Sequence, residues 1–333
     1  MKKVILALVF VLAIVGCGTK RQYFQPEATA GSVKFSGSIP SEIEKVGLYG
    51  ASLSNRQVIS VDGVEANKIL EKNDHFIGKF DGKYLVITKD GNLKVKLQDG
   101  SVFYEKTLSS MVATASIEGD SLAIVTADNT LHLIQASSDK VLYSQKMDDI
   151  SAVDSRIATP YFLGSLVIFP TLDGKLTIVD RGSGEVIRNV VVSAERHFNN
   201  LIFLDTVGDR MFAATAKRAI SISPSGVNYI DEDIKDVVLL KDRFFLFTKD
   251  GTVVMTDLNL RVIKEKKFPF AIFSGVVSTV DSLNIIEKKG YLIKTNLNLE
   301  NIEYLTLPSG IKSSIFVGKD RVYYGNKFID FSK

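Results

Sequence analysis

Cysteine is almost absent from this 333-residue chain: Cys17 stands alone, so no intrachain disulfide can form and stability has to come from a buried core. Histidine is nearly as scarce. His75, His132 and His197 make no HxH or HxxxH pair, which leaves a zinc or redox-metal site little to build on. Helical periodicity is confined, after the first segment, to Glu42–Lys45 and Asn67–Lys72, the only short helices the pattern predicts. No apolar run exceeds about twelve residues, against the roughly twenty that a helix rising about 1.5 Å per residue needs to cross hydrocarbon. Excess charge is missing too, with 41 basic and 38 acidic residues; setting aside Lys2 and Lys3 leaves 39 against 38 and no electrostatic footprint for nucleic acid.

What is present begins with Met1-Lys2-Lys3, the apolar run Val4 to Val15 and Gly16-Cys17, the order of an export signal over residues 1–16. The segment Ile14-Val15-Gly16-Cys17 resembles the lipobox of bacterial lipoproteins. That resemblance implies lipidation of the Cys17 thiol, palmitate included, and cleavage that makes Cys17 the new N-terminus. Several acyl chains, at roughly 0.8 kcal/mol per buried CH₂, anchor a protein lastingly where one chain does not. Gly18 stands where an aspartate would resemble an inner-membrane retention signal, so the expected location is the periplasmic face of the outer membrane. Residues 17–30 are polar, carry Pro26 and read as a solvated tether; the alternative is that Tyr23 and Phe24, its only large apolar residues, dock on the folded domain or a partner.

The remainder is periodic. Alternating apolar residues flank a polar turn in Leu85–Val95, Leu122–Ile134, Leu166–Val179, Phe244–Met255 and Leu283–Ile293, and less regularly in Leu53–Ile59, Met211–Ile222 and Val322–Ile329. The eight turns recur at a mean spacing of about 39 residues, which suits a four-stranded propeller blade. Second turns such as Arg181–Gly184 and Ser137–Asp139 lead to further strands. Residues 31–333 thus predict one all-β domain, a β-propeller of eight four-stranded blades. Its last module offers only three strands, near Ile311–Val317, Arg321–Gly325 and Lys327–Phe331, and the orphan strand Ser32–Ser36 is expected to complete it, closing the ring with both ends of the domain.

The stretch Thr171-Leu-Asp173-Gly174-Lys-Leu176-Thr-Ile178-Val-Asp180-Arg-Gly-Ser-Gly184-Glu-Val186-Ile-Arg188 resembles the repeat of pyrroloquinoline-quinone-type propellers, with weaker copies around Asp90, Asp128 and Asp250. A lipidated eight-bladed propeller of that type is similar to the BamB family of outer-membrane assembly lipoproteins. The resemblance implies a non-catalytic protein-binding scaffold with envelope proteins, the β-barrel assembly machinery among them, as partners. In that family a tryptophan often locks neighbouring blades; this chain has none.

Catalytic motifs are missing. No GxSxG elbow occurs, the SxxK match Ser137–Lys140 falls on a predicted turn, and Gly182-Ser183-Gly184 lacks the context of a phosphate loop. The acids Asp231, Glu232, Asp233 and Asp236 follow no EF-hand pattern and read as a solvated loop, and Lys264–Lys267 is too short and too close to Glu265 for a nucleic-acid groove. No catalytic residue, metal ligand or cofactor is therefore expected. The alternative is a periplasmic quinoprotein-like enzyme or small-ligand propeller, which would need acids, arginines or a metal cage converging on the central channel.

Overall fold

The computed structural model describes residues 22–312 and 314–332. It contains eight sheets, seven of four antiparallel strands and one of five whose edge strand is parallel. Their innermost strands are Ile43–Val46, His75–Phe80, Val112–Glu118, Tyr161–Leu163, Phe203–Val207, Ile234–Leu239, Phe273–Ser278 and Ile315–Val317, which open blades 1 to 8 in order. The eight hairpins anticipated from the sequence are the second and third strands of these blades. A propeller of eight blades is thus shown.

Burial follows position in the blade. The second strands are almost wholly buried, as in Phe244–Thr248, while outermost strands such as Lys140–Lys146 are largely exposed. The core is divided into eight apolar clusters, one between each pair of neighbours: Val58, Ile69 and Phe76 join blades 1 and 2, and Ala51, Ile59, Phe316 and Tyr323 join blades 8 and 1. The last pairing makes the stack a ring.

Without tryptophan, arginine bridges blades 5 and 6 and blades 6 and 7. Arg210 at the start of one second strand donates to Asn259 Oδ1 (2.7 Å) of the next blade, and Arg243, one blade on, donates to the Leu297 carbonyl (2.7 Å) and Asn298 Oδ1 (2.9 Å). A charged donor on a backbone carbonyl is among the stronger hydrogen bonds available.

Up-and-down pairing puts every second-to-third-strand turn at the same end of the ring as the linkers between blades. We call this end the linker face. Two of these turns, in blades 3 and 6, share one device: a threonine hydroxyl closing the second strand bonds the aspartate two residues on, as Thr126 does with Asp128 (2.6 Å) and Thr248 with Asp250 (2.5 Å). The next residue is left-handed, Asn129 at φ 63° and Gly251 at φ 86°. Its carbonyl accepts the first linker N–H, Met147 onto Asn129 (2.9 Å) and Phe268 onto Gly251 (2.8 Å). A Cβ at Gly251 would stand 2.4 Å from the Phe268 carbonyl oxygen, so glycine is required there by space as well as by φ.

Three expectations need correction. Glu42–Lys45 is not helical: Ile43–Val46 is the inner strand of blade 1. Asn67–Lys72 is not helical either; Ile69 and Leu70 plug the gap between blades 1 and 2, and Lys96 Nζ bonds the Ile69 carbonyl (2.8 Å). The closing strand is displaced from Ser32–Ser36. Gly37–Ser38 completes blade 8 antiparallel to Lys327–Asp330, while Gly31–Ser32 adds a fifth, parallel strand to Glu303–Thr306 of blade 7.

The tether is also shorter than its composition suggests. Phe24 is only 4% exposed, packed edge-on against Phe268 and Tyr291 and tilted on Tyr304 at centroid distances of 5.7–6.5 Å, so the docked alternative holds for this residue. Phe24→Ala is expected to cost the docked arm about 3 kcal/mol, roughly a hundredfold in its open population. Limited proteolysis should then cut within residues 22–30 while the ring stays intact.

Candidate functional site

Chemistry-bearing residues singled out from the sequence are dispersed. His75 lies on the inner strand of blade 2, His132 on the third strand of blade 3 against Ser144 (3.0 Å), and His197 in the linker after blade 4 against Ser151 (2.6 Å). Ser137 caps Asp120 (2.7 Å) and Ser183 bonds Asp180 (2.9 Å), both as turn residues. Lys264 pairs with Glu300 and Lys267 with Asp250. Cys17 lies outside the described residues.

The acids are the exception. Asp231, Glu232 and Asp233 form one wall of a groove of about 630 Å³ on the linker face, with Ser193–Glu195, Lys217 and Arg218 opposite. Arg218 reaches Asp231 (2.5 and 2.9 Å) and lies over the Tyr229 ring (4.9 Å), while Lys217 reaches Asp233 (2.5 Å). These pairs are about half exposed and contribute little stability. Glu232 is left among like charges: burial, then Glu265, Asp250 and its own neighbours, raise its carboxyl above the ordinary value. Four acids against two bases give the groove a net negative lining.

Three residues along the linker from Glu195 stands Phe198, 54% exposed with φ 54°. A left-handed aromatic is strained by about 1–2 kcal/mol and persists only where its surroundings dictate it. The dictating groups are adjacent. Asn199 Nδ2 donates to the Asp173 (2.8 Å) and Ser193 (3.0 Å) carbonyls, and fully buried Asn200 donates to the Arg156 carbonyl (2.8 Å) and accepts the Asp154 N–H (2.6 Å). The Phe198 N–H itself bonds the Ala152 carbonyl (2.9 Å). Buried amides thus hold an apolar ring outward. Phe198 was not legible beforehand, and of the groove only its acids Asp231, Glu232 and Asp233 stood out, as a solvated loop.

The channel offers a second set. Asp205 and Asp236 sit on adjacent innermost strands, each accepting only the next backbone N–H among its described hydrogen bonds (2.7 and 2.9 Å). Burial raises both carboxyls. Tyr49 of blade 1 is raised as well, by burial first and slightly by Asp205, with Thr159 hydrogen-bonding it. Among the described residues no group of three or more His, Cys, Asp or Glu could hold a metal, and the two channel carboxylates alone do not fit a quinone–metal site. Because the Asp236 carboxyl is raised, its charge opposes folding at neutral pH and ceases to do so as pH falls through its folded pKa. Asp236→Asn should therefore raise the thermal midpoint at pH 7, and the gain should shrink toward pH 4.

Residues 60–259 match the model of a propeller family described as outer membrane protein assembly factor BamB. The chain belongs to that family. The BamB structure from Moraxella catarrhalis superposes with a TM-score of 0.65 at 16% identity, covering 88% of this chain and 98% of that one. The C-terminal WD40 domain of Sif2 does so at 0.66 with 8% identity, over 92% and 100% of the two chains, a likeness of fold alone. By sequence, the chain is 28% identical to plasminogen-binding protein PgbB of Helicobacter pylori strain J99, across 99% of this chain and 71% of that protein. A second strain's PgbB, from 26695, is 29% identical over the same shares.

Proposed function

We propose that this BamB-family chain is a non-catalytic, protein-binding scaffold, lipid-anchored through Cys17 at the periplasmic face of the outer membrane, that receives an envelope protein on the linker face. The observation that carries this reading is Phe198, held outward in a strained conformation on the linker face, three residues along the linker from Glu195 of the acidic groove. Aromatics ringed by polar groups are the usual energetic centres of protein interfaces. The acidic lining favours a basic partner segment. Outer-membrane protein assembly, as the family's description states, is the first candidate process, and plasminogen binding, as the relatives' name states, the second.

The test is direct binding of the unlipidated chain to two probes, the purified periplasmic domains of the host's barrel-assembly protein and purified plasminogen. One probe should bind, and Phe198→Ser should weaken it at least about tenfold, the usual size of a hot-spot loss. Failure of both probes, or indifference to Phe198→Ser, contradicts the reading.

A further inference from the structure

Phe24 fixes where the N-terminal arm meets the ring: the linker-face rim between blades 6 and 7, against Phe268. Beside that point the linker Phe268–Ile272 runs between two turns, bonded to each. The Phe268 N–H meets the Gly251 carbonyl (2.8 Å), and the Lys288 N–H meets the Ile272 carbonyl (3.0 Å). The linker's apolar residues divide sharply. Phe268 and Ala271 are buried, whereas Phe270 and Ile272 are 52% and 47% exposed, and Phe270 is left-handed at φ 64°.

Beside Ile272 stand Lys288 and Lys289, both exposed and in no ion pair among the described residues. Lys289 lies over the ring of exposed Tyr23, the first aromatic of the arm, at 5.3 Å. Of the acids next to this linker, Asp250 is held by Lys267, and fully buried Glu287 by the N–H groups of Lys289 (2.7 Å) and Ile272 (3.3 Å); Glu232, which lines the acidic groove, feels the Asp250 charge from the other side. Glu27 on the arm is exposed. The surface is thus aromatic and basic, in contrast to the acidic groove.

We propose that this sector, Phe270 and Ile272 within a fringe of lysines, is a lipid-contact patch that rests the rim of blades 6 and 7 on anionic headgroups. Two observations select a bilayer over other occupants. Lysines flanking exposed aromatics complement an anionic surface, and interfacial aromatics sit with their rings at the headgroup level. The arm also enters here, and the seven residues from Cys17 to Phe24 span at most about 25 Å, so an anchor at Cys17 holds this rim, rather than any other, beside the membrane. The proposal takes only that proximity from the anchor reading.

The experiment uses the mature-length chain with Cys17→Ser, so that acyl chains contribute nothing, and co-sedimentation with vesicles. Vesicles of phosphatidylethanolamine and phosphatidylglycerol should retain it at low salt, and phosphatidylcholine vesicles should not. Lys288→Glu with Lys289→Glu, both exposed and safe for folding, should lower retention at least about tenfold, and Phe270→Ser should lower it further, whereas Phe198→Ser should leave it unchanged. Absence of retention overturns the proposal. So does retention that ignores the lysine substitutions, or a loss of protein binding without loss of vesicle binding, which would make the patch a protein site. None of these results bears on whether Cys17 is acylated, which fractionation of Cys17→Ser cells decides separately.

Discussion

Cys17→Ser is expected to transfer the chain from the membrane fraction to the soluble periplasm almost completely. A single saturated chain supplies a membrane association constant of only about 10⁴ M⁻¹, while two or more make release negligible on a cellular timescale. Serine at position 17 can carry no thioether-linked lipid, so the whole of that energy disappears at once. Lysine-rich surfaces such as Lys288–Lys289 would hold a remnant at low ionic strength, and a wash at high salt removes it because the Debye length shrinks to about 3 Å at 1 M. The result to measure is the salt-resistant membrane fraction, together with the mass of the N-terminal peptide. A Cys17→Ser protein that stays bound through that wash contradicts the anchor.

Phe247→Ala is expected to be among the most damaging single substitutions in the ring, at about 3–5 kcal/mol. Phe247 is fully buried between blades 6 and 7, edge-on to Phe273 at 5.7 Å, in the same cluster that receives Phe24. The loss combines the transfer energy of the ring with a cavity that the flanking second strands cannot close. By contrast Ile263→Ala, on the outermost strand of blade 6 and 57% exposed, should stay within about 0.5 kcal/mol. Urea unfolding followed by two probes should show the Phe247→Ala loss in a single transition, since a ring whose ends are joined has no terminal blade to fray first. A separate early transition would show that blades 6 and 7 unfold alone.

The blades were legible because their second hairpins use strictly local chemistry. Asp90-Gly91, Asp128-Asn129, Asp173-Gly174 and Asp250-Gly251 place a residue tolerant of φ > 0 between alternating apolar strands. Where the local pattern is ambiguous, the reading failed. Ile43 and Val46 are three apart, the spacing of a helix face, yet the inner strand of blade 1 is short enough to show the same two apolar positions. Ile69 and Leu70 mimic a helix turn but owe their burial to Phe76 and Tyr84 of the next blade. Phe24 could not be assigned from the sequence alone, because its partners Phe268, Tyr291 and Tyr304 follow it by more than 240 positions. The groove is similar: Glu195, Lys217 and Asp233 come from three segments, and the backbone strain at Phe198 has no signature in composition.

The account stands on the linker face being the surface that meets protein. A photo-reactive side chain placed in the intact, membrane-held chain at Phe198, and in a second protein at Ile187 on the exposed outer strand of blade 4, reads this directly in living cells. Crosslinking of one discrete envelope protein from position 198, with little or none from 187, is the predicted result. Equal or stronger capture from 187, or no product from 198, would contradict it.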